Sequence, residues 1–100
     1  MARRVLYHPS FDCDVREAAN WYDQHSMGLG DAFVDEVRQR VQSVMDDPAR
    51  FATTDLGCRY VRLKRFPYVV LFDVTDLDLR LLGVLHTARS IVKWRKRLHD

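Results

Sequence analysis

Cysteine is scarce in this sequence: Cys13 and Cys58 are the whole supply in 100 residues. Two thiols fall short of the four ligands a structural zinc site wants, and they cannot build a disulfide framework. Long apolar runs are missing as well, since no window approaches the roughly 18 apolar residues needed to span a bilayer. Arg3 and Arg4 are followed by no apolar stretch of signal-peptide length. With 4 Gly and 3 Pro, collagen-like and low-complexity architectures are excluded. Also absent are a phosphate loop, Gly-x-Gly-x-x-Gly, Gly-x-Ser-x-Gly and His-Glu-x-x-His. The expectation is a cytoplasmic, reduced chain with no metal, no cofactor and no membrane segment.

What is present is a globular balance, 47% apolar and 30% charged, and it predicts one domain over residues 1–100. Net charge is only +2, but its distribution is lopsided. Residues 1–57 carry 6 Arg against 10 acidic side chains, whereas residues 58–100 carry 10 Lys or Arg against 4 Asp. Two readings are open. The second half meets a polyanion or an acidic protein, or the two halves attract each other within the fold.

Val5, Leu6 and Tyr7 are β-prone and precede Pro9, which predicts a first strand over residues 3–8. Ser10 then reads as a helix cap, with Asp12 and Asp14 favouring the positive end of the dipole. Phe11, Val15, Ala18, Ala19 and Tyr22 recur at helical spacing. Gly28-Leu29-Gly30 stops that helix, and Phe33, Val34, Val37, Val41, Val44 and Met45 define a second one closed before Pro48. Residues 48–57 read as a loop. From Cys58 the period changes to two, with Val61 and Leu63 dry and Tyr60, Arg62 and Lys64 wet. Phe66-Pro67 marks a turn, Tyr68–Phe72 a central strand, Thr75-Asp76 a turn, and Leu79–Leu85 a last strand. Ser90 is positioned to cap a short basic helix with Ile91, Trp94 and Leu98 on one side. The order β-α-α-β-β-β predicts an α+β fold, a helical hairpin packed on a mostly antiparallel four-stranded sheet.

Candidate functional residues concentrate in the second half. Arg59, Arg62, Lys64 and Arg65 crowd together around Tyr60, a mix that suits phosphates and a stacked base, or an edge strand guarded by charge. His86 at a strand end is a candidate general base, with Arg89 to stabilise charge and Trp94 to stack; the alternative is a structural His with Trp94 as a packing anchor. Trp21 and Tyr22 lie about 100° apart on their helix, so one of them faces away from the core and is available as an interface anchor. The segment from Ser90 to Asp100 has one sizeable apolar group, Trp94, among Lys93, Arg95, Lys96 and Arg97. That mix is expected of a docking tail dispensable for folding.

Trp21-Tyr22, Gly28-Leu29-Gly30 with Phe33, Pro48, Arg62-Leu63-Lys64-Arg65-Phe66-Pro67-Tyr68, and His86-Thr87-Ala88-Arg89 through Trp94 occur in an order that resembles the RelE/ParE toxin family. The likeness runs from residue 3 to about 97 and agrees with the element order above. It implies the toxin half of a type II toxin–antitoxin pair, bound by a cognate antitoxin and oligomeric with it. Two activities follow from it. ParE-like members poison DNA gyrase, while RelE-like members cleave mRNA on the ribosome. Tyr68 is followed by Val69, where the RNA-cleaving branch usually carries arginine, so the resemblance favours gyrase as target; a toxin-derived, inert binding module is the third possibility. The residues expected to bind the target or the antitoxin are Trp21, Tyr60, Arg62, Lys64, Arg65, Arg89, Trp94, Arg95 and Arg97. On the ribonuclease reading the catalytic set is His86, Arg89, Lys64 and Arg62.

Overall fold

The strands of the sheet are β1 (Arg4–Tyr7), β2 (Arg59–Arg62), β3 (Tyr68–Val74) and β4 (Asp78–His86). The helices are α1 (Phe11–His25), α2 (Leu29–Asp46) and α3 (Ile91–His99), with a short 3-10 turn at Pro48–Arg50. The computed structural model describes residues 3–88 and 91–99. Arg89, Ser90 and the side chain of Ile91 lie outside the described residues, and with them the expected cap at Ser90 and the candidate at Arg89.

Sheet order is β1-β4-β3-β2. The β2–β3 and β3–β4 pairs are antiparallel, and β1 joins the edge parallel to β4. This is the α+β arrangement that the element order predicts. The α1–α2 hairpin lies on one face, where Phe33, Val37 and Val44 meet Val70, Phe72 and Leu81. Each such fully buried Phe or Leu contributes roughly 1.5–3 kcal/mol by leaving water.

The hairpin depends on Gly30. A Cβ there would stand 2.5 Å from the Ala19 carbonyl oxygen, so any side chain would force the helices apart. Asp23 of α1 also accepts the Gly30 N–H at 2.7 Å, satisfying a donor at the start of α2. Gly28 plays a different part, holding a left-handed φ of 84° in the link itself.

Three expectations are corrected. Ser10 caps nothing with its side chain; instead its N–H donates to His8 Nδ1 at 3.0 Å. The strand expected to run through Lys64 ends at Arg62. Glu36, buried in α2, accepts the N–H groups of Lys64 and Arg65 and diverts the backbone into a turn. The tail is not a detached docking segment either. Its helix α3 covers the second face of the sheet, where Trp94 and Leu98 pack on Cys58, Leu71 and Leu82. Burial on both faces accounts for the unbroken apolar run in β3, where a sheet wetted on one side would alternate.

Candidate functional site

Parallel pairing with β1 covers β4 only from Asp78 to Leu81. Beyond Leu81 no strand among the described residues lies beside this edge of β4, and side chains bond its backbone instead. Val84 N–H donates to Asp14 Oδ2 at 3.0 Å, and the Leu82 carbonyl accepts Arg97 Nη1 at 3.1 Å. Arg97 and Asp14 also pair with each other, joining α3 to α1 across this edge. Gly83 makes the approach possible, because a Cβ there would fall 2.3 Å from Arg97 Nη1.

Above this clasp opens a groove of about 820 Å³, within the range of roughly 300–1,000 Å³ typical of binding pockets. One wall is α1, with Glu17 and Trp21; the other is α3, with Lys93 and Lys96. The sheet end supplies the floor through Tyr68 and His86, whose rings meet edge to face at 5.0 Å. Trp21 is 52% exposed and stacks on His25 at 3.8 Å. Tyr22 turns inward against Phe33, Phe66 and Tyr68, as the angular argument for this pair requires of one member. Burial there raises the Tyr22 phenol above its ordinary pKa, aided by Tyr68.

The His86 ring is oriented by its own backbone. Ala88 N–H donates to His86 Nδ1 at 2.9 Å. A neutral imidazole accepting at Nδ1 carries its proton on Nε2, so this ring offers a hydrogen-bond donor. Apolar, cationic and donor groups thus converge on one concavity, with a carboxylate on the opposite lip.

The remaining sequence candidates are scattered. Tyr60 is half-buried on the far face, its ring 6.4 Å from Trp94. Arg62 projects from that same far face, because its neighbour Val61 packs on the helical side; His86 and Arg62 therefore stand on opposite sides of the sheet. Lys64 and Arg65 are exposed on the turn. Arg95 borders a shallow recess with Asp73 and Arg80, and those two form an ion pair that raises the Arg80 pKa through its hydrogen bond to Asp73. Arg97 is directed inward. Glu36 and Asp14, the carboxylates that organise the turn and the edge, carry no sequence signal beyond helical position. Lys93 and Lys96 read as a solvated helix face, and only the packing of α3 brings them to the groove.

Among the described residues no helix is long and apolar enough to cross a membrane. None of the curated proteins compared matches this sequence. A solved chain described as the chromosomal ParDE TA system from P. aeruginosa superposes with a TM-score of 0.73 at 15% identity, covering 84% of this chain and 95% of that one. At that identity the likeness is one of fold. The family model for the ParE toxin of the type II toxin-antitoxin system parDE matches residues 5–91. With nearly the whole fold inside that match, the chain belongs to the ParE toxin family of type II toxin–antitoxin systems.

Proposed function

We propose that this toxin arrests growth by binding DNA gyrase, without chemistry of its own, and that a cognate antitoxin neutralises it in the cytoplasm by occupying the groove between α1 and α3. The observation that carries the first part is the Ala88-to-His86 hydrogen bond. A general base needs a free lone pair facing the proton it removes. His86 has spent that lone pair on its own backbone and turns a donor outward. Val69, where RNA-cleaving relatives usually carry arginine, points the same way.

The antitoxin assignment rests on the lining of the groove. An exposed Trp beside Tyr68 supplies the aromatic anchors that protein interfaces favour. Lys93 and Lys96 add charge complementary to an acidic segment, and they take part in none of the ion pairs among the described residues. The toxin is thus expected to form a hetero-oligomer with its antitoxin.

One observation favours the ribonuclease reading. The same two lysines line the groove together with His86, and a groove with Trp21 in it can stack a base. Purified toxin incubated with gyrase, ATP and plasmid separates the two. Accumulation of gyrase-linked, linear DNA is expected, with DNA breaks preceding any loss of mRNA after induction in growing cells. Ribosome-dependent mRNA cleavage without gyrase-linked breaks would overturn the proposal, and unimpaired growth on induction would identify an inert module.

A further inference from the structure

The β2–β3 turn is built in a way that guarding a sheet edge does not explain. Arg62, at the end of β2, and Lys64 and Arg65 of the turn are all exposed, within four residues. None of them joins the ion pairs formed among the described residues. Edge-guarding charges need only be present, and a mobile loop serves them as well as a fixed one. This turn is fixed. Glu36, only 7% exposed, spends its carboxylate on the N–H groups of Lys64 and Arg65. Leu63 N–H donates to the Tyr68 carbonyl at 2.9 Å, and Thr87 N–H to that of Pro67 at 2.8 Å. Burying a carboxylate is costly unless its hydrogen bonds repay it, so the fold invests in holding this one shape.

The chemistry of the turn selects its partner. Protein interfaces centre on desolvated apolar anchors. Of the turn's apolar side chains, Leu63 and Phe66 are 6% exposed and belong to the core, and the exposed Pro67 lines the groove. Apart from that proline, what is left outside is positive charge on a rigid frame, with no large apolar side chain for a pocket to grip. Phosphodiester backbones are recognised in this way, by cations that neutralise phosphates without reading bases. The groove, which has aromatic anchors, is the contrasting case.

We infer that the Arg62–Lys64–Arg65 turn is a second, separate binding surface, and that it takes the phosphate backbone of duplex DNA. The choice of duplex DNA rests on the gyrase reading, since gyrase acts on duplex DNA. The groove, assigned to the antitoxin, and the turn then have different occupants, and in a toxin–gyrase–DNA assembly the turn would hold the toxin against the DNA that gyrase is handling.

The test is fluorescence anisotropy with purified toxin and a labelled DNA duplex of random sequence, over a salt series. Each phosphate contact contributes about 0.9 to the slope of log K against log salt, so Arg62→Gln, Lys64→Gln and Arg65→Gln combined should flatten the slope by about 2–3 and weaken low-salt binding about tenfold or more. A charge-matched control, Arg3→Gln, Arg4→Gln and Arg16→Gln, should keep most of both. Equal losses in the two variants would overturn the inference, leaving bulk charge as the cause. Absence of duplex binding would overturn it, as would a turn that prefers single-stranded RNA or polyglutamate to duplex DNA. The readout contains no gyrase. Failure to trap gyrase with duplex binding intact would therefore sink the target assignment alone, and the reverse result would sink only this inference.

Discussion

Arg97 and Asp14 are 83 residues apart in the chain, yet Arg97 Nη2 donates to Asp14 Oδ1 at 3.0 Å while Nη1 serves Oδ2. Their side chains are 15% and 14% exposed. This pair ties the basic end of the chain to its acidic beginning. Of the two readings of the lopsided charge, attraction within the fold accounts for these two residues, while Arg62, Lys64, Arg65, Lys93 and Lys96 remain available to partners.

Removing one member leaves the other partly buried without its counter-charge. Asp14→Ala also deprives Val84 of an acceptor. Partial exposure keeps the cost below that of a sealed pair, so urea unfolding should show a loss of about 2–3 kcal/mol. A double-mutant cycle with Arg97→Met should give a coupling of about 1–2 kcal/mol. Strictly additive losses would show that the contact is incidental.

Glu36→Gln tests the turn. The amide has one carbonyl oxygen where the carboxylate has two acceptors, so one of the two turn N–H groups loses its partner. A cost of about 1–3 kcal/mol is expected. Amide hydrogen exchange at Lys64 and Arg65 should accelerate before exchange in β3 does. Unchanged protection at both amides would contradict the role assigned to Glu36.

The two glycines of the helical hairpin should respond differently. Gly28→Ala meets open space and suffers only from its left-handed backbone, a cost of about 1 kcal/mol. Gly30→Ala drives a methyl against the Ala19 carbonyl and Asp23, and overpacking of this kind costs about 1–3 kcal/mol. In a chain of this length the melting temperature should fall by about 4–8 °C per kcal/mol. The larger fall belongs to Gly30→Ala.

Cys58 reports on α3. Burial raises its pKa above the ordinary 9.0, against a lowering hydrogen bond from Thr54. The folded state holds this proton longer than the unfolded chain. Its contribution to stability is therefore intact below pH 9.0 and is lost as pH rises from there through the folded value. Cys58→Ala should flatten the alkaline end of the stability profile. Deleting residues 91–100 uncovers Leu71, Leu82 and Cys58, so iodoacetamide should label Cys58 rapidly in the truncated chain and hardly at all in the intact one. Equal labelling would return α3 to the status of a loose tail.

His86→Gln separates binding from catalysis. Loss of a general base lowers a rate by about 10²- to 10⁴-fold, enough to abolish toxicity by RNA cleavage. A gyrase-binding toxin requires no proton transfer, so induced expression of the variant should still arrest growth, and antitoxin binding should persist.

Sequence periodicity, with its glycine and proline stops, was enough to order the elements of this fold, though not to end β2 at Arg62. Phe11 to Tyr22 and Phe33 to Met45 repeat at helical spacing, Val61 and Leu63 alternate, and local pattern of this kind is a direct consequence of having one face to bury. The order of those elements, together with Trp21-Tyr22, Gly28-Leu29-Gly30 and the Arg62–Tyr68 segment, was enough to reach the family. Tertiary structure decided where α3 goes. Its stripe is narrow, and only the far face of the sheet, left open by the hairpin, gives Trp94 and Leu98 something to cover. It also decided the site. Asp14, Glu36, Lys93 and Lys96 are ordinary charged positions on helices, and no spacing rule distinguishes a carboxylate that meets water from one that meets an unpaired backbone N–H. That distinction arises where β1 stops at Tyr7 and leaves Val84 without a strand to bond.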